Sequence, residues 1–443
     1  MSSGSAQEIQ AAILRSALEV ISRNGYVGAT IEHIAQKAGV NSLTVFRHFK
    51  DKATLFSNVI DAFAEDEVSI ESSCSNLTGH DIVDDLTLLA HAYIEAIFKR
   101  IHILRIFVVE SPHFPFVRER YWRNPPEIQR HFRSYLAGLA DSAELGENEI
   151  DLLADSFVTY LVWLVLLYNK LDLIWEYSQE VTDIFGKRLQ PQILFFVRNM
   201  LQSDKTPGKP GTSKRLAAME KAYPKRLSAI HAIWDSSSTD KDLDDGSTKY
   251  RIERAAIKLF NEKGYARTST SAIAKEAAVS EASIFRIFGT KAALLYDVYY
   301  QLTPGTEHLD LNGLSGGDSI ENDLFLFFLN NITIHFLHIP AYRLSLQMQV
   351  DIYERGFYYR SYDKILGLRS FLAQYLETLK AGGKVITADY EALGEYMFGL
   401  FLINAQEFSL VANDDLTAAG DLLYKFARNY AVFFSQRIRK TSR

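Results

Sequence analysis

The strongest constraint on this chain is that it repeats itself. Gly25-Tyr26 recurs as Gly264-Tyr265, and at the same offset of 239 residues Ile34-Ala35 pairs with Ile273-Ala274, Ala38 with Ala277, Val40 with Val279 and Phe46-Arg47 with Phe285-Arg286. Phe49 and Phe288, Lys52 and Lys291, then Leu55 and Leu294 complete the series without a gap. Helical periodicity alone does not produce identities at apolar and charged positions together, so one unit has been duplicated and two homologous halves result. A chain of 443 residues accommodates them, since domains run to roughly 100–200 residues each.

With 47% hydrophobic and 23% charged residues the chain has ample apolar surface for a core and lacks the composition of a disordered protein. Its formal charge of -6 gives no general affinity for polyanions, so any nucleic-acid footprint must come from local basic clusters. Cys74 is the sole cysteine, which excludes an intramolecular disulfide or a multi-cysteine zinc site and fits a reducing interior. The first ten residues show no basic start followed by an apolar segment, so a cytoplasmic location is expected. The longest apolar run, 157–168, falls well short of the roughly 20 residues of a membrane span, and we read it as a buried helix.

Between the halves, Thr206-Pro207-Gly208-Lys209-Pro210-Gly211 and an Asp- and Ser-rich stretch at 236–245 have linker chemistry. Leu216, Met219, Tyr223, Leu227, Ile230 and Trp234 suggest a short connector helix interrupted near Pro224. Its basic residues, among them Lys214, Lys221 and Arg226, fit either a solvated face or a supplementary phosphate contact. Elsewhere apolar residues recur at three- and four-residue steps, as in Ile13, Ala17, Leu18 and Ile21, and no alternating strand pattern is convincing. The fold class is all-α.

In the first half a helix over 8–24 should stop at Gly25, which accepts the left-handed conformation. Thr30 can cap a short second helix with Ile31, Ile34 and Ala35 inward; Ala38-Gly39-Val40 then turns the chain. Asn41 can cap a third helix over 41–49, packed through Val45 and Phe49, with Ser42, Leu43, Thr44, Arg47 and His48 outward. This is a helix-turn-helix, whose second member can enter a major groove.

Over residues 30–55, TIEHIAQKAGVNSLTVFRHFKDKATL, the sequence resembles the TetR family of one-component bacterial regulators. The resemblance implies, for each half, a three-helix DNA-binding domain followed by a divergent helical domain that binds a small molecule and dimerises through its last two helices. It also implies that Thr30, Phe46, His48 and Lys52 lie along the phosphate backbone, with Ser42, Thr44, Asn41 and Arg47 at base edges. Elementary chemistry allows each role, since cations neutralise phosphates and Asn, Ser and Thr bond to bases. Phe46 departs from the family's usual Tyr and lacks its phosphate-binding hydroxyl. Capping alone is the competing reading for Thr30 and Asn41, and a solvated helix start for Lys52.

The second unit carries Ser269, Ser280, Glu281, Ser283, Phe285, Arg286 and Lys291 at the matching places, but Ala278 replaces Gly39, Ile287 replaces His48 and Gly289 replaces Lys50. Lys249, Arg251, Arg254, Lys258, Lys263, Arg267 and Lys275 make it locally basic. Glu281 either accepts from a cytosine amine or favours its helix N-terminus through the dipole. Because the two third helices differ, they should read different bases, which predicts an asymmetric operator.

The expected division is a DNA-binding domain at 1–57, a helical regulatory domain at 58–203, a linker at 204–247, a second DNA-binding domain at 248–296 and a second regulatory domain at 297–443. The last helix pairs of each half match the family's four-helix interface, here intramolecular. Phe107, Phe114, Trp122, Phe336, Tyr342, Tyr353 and Phe357 either line apolar ligand pockets or simply pack the core. His335 and His338 lack a third ligand at metal spacing, and no Gly-rich phosphate loop, nucleophile elbow or paired carboxylate motif is present. The sequence therefore predicts a non-enzymatic regulator without cofactor or metal. Its partners are double-stranded DNA and an unknown small-molecule effector, not a membrane, and the chain forms a pseudo-dimer whose further pairing is left open. A helical ligand-sensing or scaffolding protein with one or both DNA-binding units vestigial is the alternative.

Overall fold

The computed structural model describes residues 3–63, 77, 81–111, 113–118, 127–139, 146–170, 178–197, 224–225, 228, 247–265, 267–303, 305, 309, 314, 319–346, 355–385, 389–412 and 415–438. Among them there are helices and connecting turns and no strand. The first head comprises α1 (Ser3–Gly28), α2 (Ile31–Lys37), α3 (Ser42–Phe49) and α4 (Lys52–Phe63). Its body follows as α5 (Ile82–Lys99), α6 (Ile101–Glu110), α7 (Glu127–Gly138), α8 (Glu147–Lys170) and α9 (Gln179–Phe195). The second head is α10 (Thr248–Lys263), α11 (Thr270–Glu276), α12 (Glu281–Phe288) and α13 (Lys291–Leu302), and its body is α14 (Ile320–Leu346), α15 (Arg355–Ala381), α16 (Tyr390–Ala412) and α17 (Leu416–Ile438).

Each head has an apolar core of its own. In the first, Ile13, Ala17, Ile34, Val45 and Leu55 converge, and in the second Ile252, Ala256, Ile273, Ile284 and Leu294 occupy the same places one repeat later. The bodies do not behave this way. A single apolar cluster runs from Leu86 and Phe157 in the first half to Leu400 and Phe434 in the second, so the two bodies share one core. Burial of this kind is the dominant favourable term in folding and association, and it requires α8 and α16 to lie directly against each other, as they do.

At that seam Trp163 packs tightly against Gly399. A Cβ built on Gly399 would stand 2.8–3.1 Å from the indole ring, so only glycine lets α16 approach this far. Phe398 meets the same indole edge-on at 5.9 Å, and Tyr160 and Tyr396 lie with ring centroids 5.4 Å apart. Polar contacts fix the register: the Tyr396 hydroxyl bonds Ser156, and Arg437 Nη2 donates to Glu149 Oε1 at 2.8 Å. Arg437 is 3% exposed, so this ion pair is largely withdrawn from solvent screening.

Outside the described residues lie most of the connector segment, together with Trp122 and Tyr353. Tyr342 and Phe357 are placed by backbone only, on α14 and α15. No helix among the described residues is long and apolar enough to cross a membrane.

Gly399→Ala gains about 1 kcal/mol of helix propensity but overpacks the seam at a cost of about 1–3 kcal/mol, so the net effect should be destabilising. With Trp163→Leu in the background the sign should reverse, which urea unfolding of the four proteins of the double-mutant cycle will read directly.

Candidate nucleic-acid interface

Both heads begin with a helix that breaks at a glycine. Gly25 and Gly264 hold φ of 68° and 77°, a region that side chains with a Cβ avoid. Each following element is capped by a side chain three residues ahead of the amide it satisfies. Thr30 accepts from His33 N at 3.1 Å and Asn41 from Thr44 N at 2.8 Å; Ser269 accepts from Ala272 N at 3.0 Å and Ser280 from Ser283 N at 3.3 Å. All four residues therefore perform the capping role, and all four remain exposed to a ligand.

The outward faces of α3 and α12 are open. In α3, Val45 and Phe49 are buried, while Leu43 is 59% and Phe46 45% exposed, with Arg47 exposed and Ser42, Thr44 and His48 partly so. Leu43, expected to face outward, is the most exposed large apolar side chain on this face. Its position opposite Val45 and Phe49 on the helical wheel was the available signal. The Thr44 hydroxyl donates to Asn41 Oδ1 at 3.0 Å, so these two side chains act as one unit. In α12, Phe285 is 49% exposed and Arg286 is exposed beside it. Glu281 accepts a hydrogen bond from the Thr270 hydroxyl, which ties the start of α12 to the start of α11.

Lys52 and Lys291, at the starts of the fourth helices, have internal partners. Lys52 Nζ donates to the Val27 carbonyl at 3.3 Å and lies 4.6 Å from the Tyr26 ring centroid. Lys291 Nζ donates to the Tyr265 and Thr268 carbonyls at 2.9 and 3.0 Å and lies 4.0 Å from the Tyr265 ring. Partial burial lowers the pKa of both ammonium groups. These lysines hold the end of the first helix to the fourth, a task invisible in the sequence because its acceptors are backbone carbonyls about 25 residues away.

Two substitutions between the heads are reciprocal. Lys37 pairs with Glu19 at 2.8 Å in the first, and one repeat later Glu276 pairs with Lys258 at 2.6 Å, the same bridge with its charges exchanged. The left-handed positions are exchanged as well: Gly39 and Lys50 in the first head become Ala278 and Gly289 in the second, with positive φ at all four. Geometry has been kept while residue identity has changed. Of the second head's basic residues, Lys249 is engaged by Glu253 and Asp297, both at 3.3 Å, and Arg251 donates to the Ala278 carbonyl at 3.4 Å.

The first head is held to its body by α6. His102 Nδ1 bonds the Ser22 hydroxyl at 2.7 Å, Arg105 Nε donates to the Ser22 carbonyl at 3.1 Å, and Glu110 Oε1 accepts from Tyr26 N at 2.7 Å, just past the Gly25 break. Phe107 completes the apolar core of the head, and Phe114 packs on Tyr26 and Phe56 with ring centroids 4.8 and 5.1 Å away. Phe336 is buried in the shared core, so these three aromatics pack structure where the sequence left open a pocket-lining role. His335, buried against Phe398, bonds the Asn331 carbonyl through Nδ1 at 2.7 Å, and burial depresses its pKa to about 4. Arg267 of the second head lies near enough to Tyr26, Lys52 and Glu110 to act on all three electrostatically.

Two helix-turn-helix heads of one design, each followed by helices of a common bundle, define a helical protein built for DNA contact at two places. Both heads match the family described as bacterial regulatory proteins, tetR family, over residues 13–59 and 252–298. The chain therefore carries two TetR-type helix-turn-helix units in tandem. It is 26% identical over 149 residues to the uncharacterized HTH-type transcriptional regulator YvkB of Bacillus subtilis, a match covering 34% of this chain and 77% of that protein. A solved structure described as a TetR-family transcriptional regulator from Mesorhizobium loti aligns at 20% identity and TM-score 0.34, over 44% of this chain and 96% of its own. A transcriptional regulator from Rhodococcus aligns at 19% identity and TM-score 0.28, over 41% and 96%.

Burial pushes the Glu110 carboxyl up to about 6 against the opposing pull of the Tyr26 amide, Arg267 and Lys52. A carboxyl raised in the folded state favours folding while protonated and loses that advantage as pH rises from 4.5 to about 6. Glu110→Gln, which keeps an acceptor for Tyr26, should therefore stabilise the protein by about 2 kcal/mol at pH 7 and by nothing below pH 4.5. Unfolding titrations across that range test it; identical curves at pH 7 would refute it.

Proposed function

We propose that the chain is a single-chain pseudo-dimer that sets two non-identical reading helices on one asymmetric operator and represses transcription until a small apolar or aromatic effector releases it. The observation that carries this reading is the combination of open outer faces on α3 and α12 with bodies fused into one core. In this reading Ser42, Thr44, Asn41 and Arg47 approach base edges in the first head, as Ser280, Glu281, Ser283 and Arg286 do in the second. Thr30, Ser269, His48, Lys52 and Lys291 face the backbone, where helix N-termini and cations suit phosphate oxygens. Leu43 and Phe46 against Ala282 and Phe285 add apolar surface suited to thymine methyl groups, differing between the half-sites. Covalent linkage replaces subunit association by a high effective concentration, with the reading helices about one DNA turn, roughly 34 Å, apart.

Helix α6 is the natural transmitter of an effector signal. It grips α1 through Ser22 and Tyr26, and on its other side it meets the second half, where Gln406 Nε2 of α16 donates to the Val108 carbonyl at 3.5 Å. Any shift of one half against the other is thus delivered to the first head, and differential affinity for the two arrangements is all that an effector requires.

A footprint on the DNA upstream of the chain's own reading frame, with each reading helix disabled in turn, tests the proposal. One chain should protect two adjacent, unlike half-sites, and disabling one helix should expose one of them. Thr44→Ala should cost about 1–3 kcal/mol at the specific site and leave random DNA unaffected. Two chains on a perfect palindrome would overturn the pseudo-dimer, and affinity independent of salt would favour a scaffolding protein with vestigial heads.

A further inference from the structure

The two halves enclose a cleft of about 1160 Å³ that neither builds alone: α7 and α8 supply one wall, α17 the other. Leu152, Ala154, Val432 and Phe433 give it an apolar side, and its volume suits a small organic molecule. Most of its charges are answered internally. Arg133 bonds Asp151 at 2.6 Å and Glu147 at 3.3 Å, and Glu149 takes Arg437 at 2.8 Å.

Among the carboxylates lining the cleft, Asp155 is the exception. It is half-buried, accepts from Gln129 Nε2 at 3.0 Å, and no Lys or Arg side chain pairs with it among the described residues. Burial and the neighbouring Asp151 push its carboxyl up to about 6. Glu407 of α16 is pushed up to about 8 by burial and by Asp155 itself. The hydroxyl of Tyr430 on α17, a residue 3% exposed, has no hydrogen-bond partner among the described residues and lies within electrostatic reach of both carboxyls. Two carboxyls and an unpartnered phenol thus lie within electrostatic reach of one another. Arg130 and Arg428 are exposed, where water screens them.

We propose that this inter-half cleft binds an amphipathic organic cation, an amine on an aromatic or branched apolar body, with its ammonium on Asp155 and its body along Leu152, Val432 and Phe433. A charge-assisted hydrogen bond in a partly desolvated site supplies the selectivity, and the apolar wall supplies the remaining affinity. Because α8 and α17 belong to different halves, an occupant ties the halves together on the helix that also carries the Ser156 and Trp163 contacts of the seam. Binding stands independently of the operator reading; only its consequence for DNA rests on that reading.

Calorimetric titration of the full chain with 4-phenylbutylamine, neutral 4-phenylbutanol and anionic 5-phenylpentanoate is the test. The amine should saturate at one molecule per chain and exceed the alcohol by about tenfold or more. Asp155→Asn should remove that advantage while leaving the alcohol's affinity unchanged. Val432→Trp, which fills the cleft from the second half's wall, should abolish binding of both, with the melting transition confirming that each variant is folded. Absence of saturable amine binding, preference for the carboxylate, or amine binding indifferent to both substitutions would overturn the site. Amine binding that leaves the affinity for operator DNA unchanged supports the site and overturns its link to release.

Discussion

The fold depends on one apolar seam. Trp163 of the first half seats against Gly399 of the second, and the core on either side of that contact is continuous. In a dimer of separate chains such a surface forms only at sufficient concentration; here it forms within one molecule, at the high effective concentration of a tethered partner. Among the described residues the heads share no apolar core. They carry small cores of their own and take their relative position from the bodies beneath them.

Duplication within one chain also explains why the halves have been free to diverge. Two identical subunits must present the same third helix twice, whereas α3 and α12 here begin with Ser42-Leu43-Thr44 and Glu281-Ala282-Ser283. The exchanged ion pairs Glu19–Lys37 and Lys258–Glu276 show the divergence constrained by geometry, since either polarity closes the same gap between first and second helices. The exposed outer face has changed, and the frame beneath it has not.

The bodies use charge differently. At the seam Arg437 and Glu149 form a pair withdrawn from water, where loss of one partner leaves an uncompensated buried charge. Asp155, Glu407 and Tyr430 lie nearby with their electrostatic demand unmet. Buried groups of this kind are costly unless something answers them, and the cleft lined by Asp155 lies beside them. Above it, α6 joins both halves to the first head through Ser22 and Tyr26.

Much of this was legible in the amino-acid order. The gapless repeat fixed two halves, the three- and four-residue periodicity fixed helices, and Thr30, Asn41, Ser269 and Ser280 announced helix starts because a cap bonds an amide only three residues on. Local interactions of that range are written locally. Periodicity marked Phe107, Phe114 and Phe336 as inward-facing but was silent on what they face, and the partners of Glu110, Lys52 and Arg437 lie 84, 25 and 288 residues away along the chain. The seam, the grip of α6 on α1 and the isolation of Asp155 arise only when distant helices are brought together, because burial and electrostatic environment are properties of the packed assembly and not of any segment within it.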